Sequence, residues 1–80
     1  MSYKMDAQEL TFGERAVGLT FNPAGDETVN KLKSLYAQVI DTLKELETPE
    51  RNGKNRLIAV AITEAQGAQM WAVKATTWRE

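Results

Sequence analysis

Between residues 27 and 47 the apolar side chains return at steps of three and four: Val29, Leu32, Tyr36, Val39, Leu43 and Leu46. That period belongs to one face of an α-helix. Leu35 and Ile40 widen the stripe, so this helix is expected to touch more than one neighbour. Asp26 suits its N-cap, and Pro49 forbids its continuation, which predicts a helix over about 27–47. A second periodic stretch follows. Ile58, Ala61, Ala65, Ala68, Ala72 and Ala75 form a row with almost no bulk beside Gly67, while Leu57, Ile62, Met70, Trp71, Val73 and Trp78 occupy the flanking faces. Thr48-Pro49-Glu50 can open this helix, giving about 50–78. Alternatively, an Asn52-Gly53 turn delays it to about Lys54.

The N-terminal part is patterned differently. Residues 1–10 are polar and aperiodic and read as a loose arm. Thr11-Phe12-Gly13-Glu14 is a capping box, opening a short helix over about 12–18 that stops at Gly18. Leu19 to Asn22 reads as extended, because the residue before Pro23 is pushed out of the α region. Ala24-Gly25 then makes a turn. The expected fold is all-α: a short N-terminal helix and a long antiparallel helical hairpin, forming one domain over 11–80.

Composition then points beyond one chain. Eighty residues bury only about 60 % of their unfolded surface. Without Cys or His there is no disulfide or zinc–thiolate staple, and oligomerisation is the remaining device. A last helix apolar around so much of its circumference is buried on several sides, whereas a hairpin covers one. A symmetric homo-oligomeric bundle is therefore expected, with the alanine row and the tryptophans as packing.

The same absences exclude Ser–His and Cys–His nucleophiles, and no three carboxylates share a helical face. Neither a metal nor a cofactor is expected, nor an enzyme. Ten basic and eleven acidic residues give a net charge of −1, without the basic stripe of a DNA binder. Neither a signal core nor a membrane-length apolar run occurs, so the expected location is cytoplasmic.

One segment carries candidate chemistry. Phe21 stands just before a turn and a helix start, where the amides of Gly25, Asp26, Glu27 and Thr28 favour an anion, although Asp26 as the cap would itself occupy the amides an anion would use. Lys31 and Lys33 follow. An aromatic that stacks on a base beside a lysine that meets a phosphate is a nucleotide set. The plainer alternative is Phe21 as a hydrophobic staple on the hairpin. Arg56, near Lys54 and Asn55, is a second candidate. Its alternative is a solvated arginine paired with Glu50 or Glu47.

Leu19-Thr20-Phe21-Asn22-Pro23 ahead of a hairpin, with Gln69-Met70-Trp71-Ala72 in its second helix, resembles a family of small phage proteins. These are the helical-hairpin sponges that sequester cyclic-nucleotide signals of the CBASS and Thoeris defences. Over residues 19–78 the resemblance implies a homohexamer of hairpins acting in the infected bacterial host cell. Cyclic dinucleotides would lie between paired protomers and cyclic trinucleotides, in some members, on the threefold axis. Carried over, the stacking aromatic is Phe21, the basic residue of the first long helix is Lys33, and Asn22 and Pro23 complete the cyclic-dinucleotide set. Arg56 is the implied cyclic-trinucleotide residue. Many relatives have Tyr and then His at Phe21 and Asn22, and often Asn at Val73. The rival readings are a small phage DNA-binding regulator and a purely structural helical oligomer.

Overall fold

The computed structural model describes residues 9–22, 24–50 and 52–80; Pro23 and most of the expected N-terminal arm lie outside them. The described residues carry no strand. They form three helices: α1 (Phe12–Ala16), α2 (Glu27–Glu45) and α3 (Gly53–Thr76). Among the described residues no helix is long and apolar enough to cross a membrane.

The capping box at α1 is complete. The Glu14 amide donates to Thr11 Oγ1 at 3.0 Å, and the Thr11 amide donates to Glu14 Oε1 at 2.9 Å. The helix closes at Ala16, two residues before the expected end, around Gly18 at φ 65°. There the Gly18 amide reaches the Arg15 carbonyl and the Leu19 amide the Glu14 carbonyl, a Schellman closure that glycine permits. The Phe21 amide then donates back to the Gly18 carbonyl at 2.9 Å. Residues 18–21 are thus a tight turn, and the extended run expected over 19–22 is corrected. The restriction imposed by a proline reaches only the residue before it, which leaves Leu19 to Phe21 free to turn.

Asp26 caps α2 as expected, its Oδ1 accepting from the Thr28 and Val29 amides at 2.8 and 3.1 Å. The helix ends at Glu45 rather than 47, where the Leu46 amide turns to the Leu43 carbonyl. For α3 the later of the two starts is the one observed. Asn52 Oδ1 accepts from the Asn55 amide at 2.9 Å, so the helix begins at Gly53, not 50. Asn55 also bridges the hairpin loop, donating to the Thr48 and Glu50 carbonyls and accepting from the Thr48 amide. Thr48 is thereby a loop residue and not the cap. The far end is Thr76, with Thr77 as the C-cap.

Packing puts α2 between α1 and α3, so its broad stripe does meet two helices. The core is Val17, Ala37, Ile40, Ile58 and Ile62, ringed by Ala16, Leu19, Tyr36, Leu43 and Ala65. α1 seats on α2 through Gly13, whose amide donates to Asp41 Oδ1 at 2.7 Å. A Cβ there would run into the Ala37 carbonyl oxygen and the Asp41 carboxylate. A long bond from Gln66 Nε2 to the Ala16 carbonyl, 3.4 Å, ties α1 to α3.

Both helices are turned relative to the expected stripes. The buried line of α2 runs through Val29, Lys33, Ala37 and Ile40, leaving Leu35, Val39 and Leu46 about half exposed. On α3 the buried residues are Ile58, Ile62 and Gln69. Of the alanine row, Ala61, Ala65 and Ala72 are partly covered, while Ala68 and Ala75 are exposed. Leu57, Met70, Trp71 and Trp78 retain 60–71 % of their exposure. α3 therefore has two apolar faces, and the hairpin covers one.

Candidate functional site

Antiparallel pairing brings the start of α2 against the end of α3. In that corner a hollow of about 220 Å³ is lined by Phe21, Asn22, Val29 and Lys33 on one side and by Val73 and Thr77 on the other. Three of the four residues expected for a cyclic dinucleotide thus share one pocket. The fourth, Pro23, lies outside the described residues.

Each does something the pattern did not reveal. Phe21 is 72 % exposed, so it is not a staple buried on the hairpin. Lys33 is the reverse, only 5 % exposed. Its Nζ donates to the Phe21 carbonyl at 2.6 Å and the Gly18 carbonyl at 3.0 Å. The same ammonium stands 5.5 Å from the Phe21 ring centroid, within cation–π range. Of its three N–H donors, two are engaged by backbone. The lysine expected to meet a phosphate is thus a buried one beneath an exposed ring. Helical spacing places it there: Lys33 is four residues from Val29 and from Ala37, on the buried line.

Asn22 is engaged at both ends of its amide. Nδ2 donates to the Asp26 carbonyl at 2.9 Å, and Oδ1 accepts from the Asp26 amide at 3.2 Å. The Gly25 amide takes the Asn22 carbonyl at 2.9 Å. With Thr28 bound to Asp26, three of the four amides proposed as an anion seat are already occupied. That expectation is corrected: the Asp26 cap and the Asn22 turn use those donors first.

Arg56 does not join this pocket. It is exposed and borders a separate hollow of about 230 Å³ with Ala59, Val60, Thr63 and Glu64. Seventeen helical residues separate it from Val73, about 25 Å along the axis at 1.5 Å per residue. The pairing of Arg56 with Glu47 or Glu50 is not found. Among the described residues the ion pair is Lys44–Glu47 at 3.1 Å.

Thr77 was not anticipated, and Val73 was placed on a flanking face and noted as a difference from relatives, not as a pocket wall. Their spacing of four at the end of α3 was legible, but only the pairing of the helix ends makes it a pocket wall. The Thr77 hydroxyl is turned back onto the Val73 carbonyl at 3.0 Å. Among the described residues no cluster of three His, Cys, Asp or Glu could hold a metal. The corner offers an exposed ring, a fixed positive charge and an apolar wall, which is equipment for holding a planar, anionic ligand.

No curated protein and no solved structure matches the chain. The family model described as Acb2/Tad1, hairpin domain, matches residues 14–77, from within α1 to the C-cap of α3. Since that span contains the Phe21 turn and the whole hairpin, the chain belongs to the Acb2/Tad1 hairpin-domain family of phage cyclic-nucleotide sponges.

Proposed function

We propose that this protein captures cyclic dinucleotides at the Phe21–Lys33 corner and returns them unchanged, blocking CBASS-type signalling in the cytoplasm of the infected host cell. The observation that carries the reading is the convergence of Phe21, Asn22 and Lys33 on one pocket. Phe21 offers a free face to a base, and base–aromatic stacking contributes about 1–3 kcal/mol per base. Lys33 supplies positive charge at the floor, with one donor unpartnered among the described residues and available to a phosphate oxygen. What supports retention without cleavage is that Thr77 is directed at its own helix and that the chain has no imidazole or thiol.

Size supports a pocket shared between copies. A hollow of about 220 Å³ is smaller than the usual ligand pocket of about 300–1,000 Å³. The uncovered face of α3, with Leu57, Met70, Trp71 and Trp78, is the natural surface for a second protomer, as is the groove of Leu35, Val39 and Leu43 on α2. We take the assembly to be a homohexamer. Arg56, at the opposite end of the hairpin, is assigned to a separate cyclic-trinucleotide site.

The test is calorimetric titration of the parent chain with cyclic di- and trinucleotides and cyclic ADP-ribose isomers, followed by heat release and chromatography of the bound ligand. Saturable binding of a cyclic dinucleotide recovered intact supports the reading. Linear products would make the protein a nuclease. No heat with any member of the panel would leave a structural oligomer.

A further inference from the structure

The Phe21 ring is exposed, yet the backbone that carries it is anchored from below. The Phe21 amide donates to the Gly18 carbonyl, and the Phe21 and Gly18 carbonyls both accept from Lys33 Nζ. Gly18 is itself fixed by the closure of α1, which is docked on α2 through Gly13 and Asp41. The turn is thus held at its first and last residue by a single buried ammonium. Charge-assisted bonds of this kind are about twice as strong as neutral ones, and removing the donor would leave two carbonyls without it.

We infer that Lys33 is a positioning residue for Phe21: it fixes the turn that presents the stacking ring, in addition to any contact with ligand phosphate. This deepens the cyclic-dinucleotide reading and rests on it for its consequence in binding. The geometric part stands without any ligand. A lysine that acted only on phosphate would be expected to extend into the hollow with its donors free. Here two of three donors point at the backbone of the residue whose ring forms the pocket's exposed wall.

Two measurements on the full-length protein separate this duty from the alternatives. The first is amide hydrogen exchange in the free protein, comparing the parent with Lys33→Met. Methionine keeps the length and fills the buried space, and apolar replacement of a buried charge is commonly tolerated. Exchange at Phe21 should speed by roughly tenfold or more, as loss of local anchoring implies, while Ala37 and Ile40 amides in the core stay within about twofold. Uniform acceleration would mean a general loss of stability and overturn the inference, as would an unchanged Phe21 amide. If Lys33→Met does not fold, Lys33→Gln retains a neutral donor and should give an intermediate acceleration confined to the turn.

The second measurement is a double-mutant cycle of Phe21→Ala with Lys33→Met, read as the dissociation constant for 3′,3′-cyclic di-AMP or whichever cyclic dinucleotide the parent binds. If Lys33 acts through the ring as well as on phosphate, its loss should weaken binding at least fivefold in the parent and by no more than about half that factor once the ring is gone. Equal losses in both backgrounds would assign Lys33 to phosphate alone. Failure of the parent to bind any cyclic nucleotide would refute the proposed function instead, while the exchange result would still decide the anchoring.

Discussion

Replacing Gly13 by alanine attacks the joint between α1 and the hairpin at one atom. The added Cβ would collide with the Ala37 carbonyl oxygen and lie 2.8 Å from Asp41 Oδ1, closer than real Cβ atoms approach. To make room, α1 must lift from α2, and the 2.7 Å bond from the Gly13 amide to Asp41 lengthens. Overpacking of this sort costs about 1–3 kcal/mol, and a hydrogen bond to a charged group contributes about 1.5–3 kcal/mol. Against them stands the better helix propensity of alanine, at most about 1 kcal/mol. The balance is a loss of about 2–3 kcal/mol. For a domain of this size, each kcal/mol shifts the melting temperature by about 4–8 °C, so the midpoint should fall by roughly 10 °C or more. Urea and thermal unfolding at one fixed protein concentration read this directly, and fixed concentration matters because an oligomer gains apparent stability by mass action. Asp41→Ala supplies the internal check. It removes the carboxylate collision but not the carbonyl one, so Gly13→Ala should cost about 1 kcal/mol less in that background. A Gly13→Ala protein as stable as its parent, or more so, would refute the account of the joint and leave propensity as the only effect.

Phe21→Ala should weaken cyclic-dinucleotide binding by about 1–3 kcal/mol with the melting temperature nearly unchanged, because the ring is 72 % exposed; calorimetry and a melting curve on the same sample check both halves. Arg56→Ala, about 25 Å away, should leave that affinity intact and affect only a cyclic trinucleotide. Gln69 is 5 % exposed, and among the described residues its side-chain amide has no hydrogen-bond partner, so Gln69→Leu should raise unfolding stability by about 1–3 kcal/mol, the relief of an unsatisfied buried amide; a loss in urea unfolding would mean that the amide has a partner. Ala72→Leu, at a partly covered position, should lower stability by about 1–3 kcal/mol through overpacking. Ala68→Leu, exposed in the single chain, should instead change the mass read by light scattering.

The helices, both long-helix positions and the α1 capping box were legible because each is a local matter of spacing and of a few capping side chains. Which face each helix turns inward was not. α3 is apolar on two sides, and periodicity has no means of choosing between Ile58–Ile62–Gln69 and the Ala61–Ala68–Ala75 side. The choice was made by partners distant in sequence, Ala37 and Ile40 on α2. The site shows the same division. Phe21 and Lys33 were identifiable as residue types beside a helix start, and the family match agrees with the resemblance carried by the segment around Phe21. The burial of Lys33 was hidden because an isolated lysine is normally assigned to solvent. Only the left-handed Gly18 and the turn after it bring two carbonyls within its reach. The competition for the amides at the helix start was legible for the opposite reason: Asn22 and Asp26 satisfy those of Gly25, Asp26 and Thr28 from within five residues.

The distance between the two hollows has a consequence for capacity. A protein that removes a signal without turning it over is limited by how many molecules it can hold, so stoichiometry matters as much as affinity. The Phe21 corner and the Arg56 hollow share no lining residue and sit at opposite ends of one stiff helix pair. If both hold ligand as proposed, then with no lining residue in common occupancy of one end has no shared contact through which to alter the other. Their capacities should simply add. A mixture of two signals would then draw down each as though the other were absent.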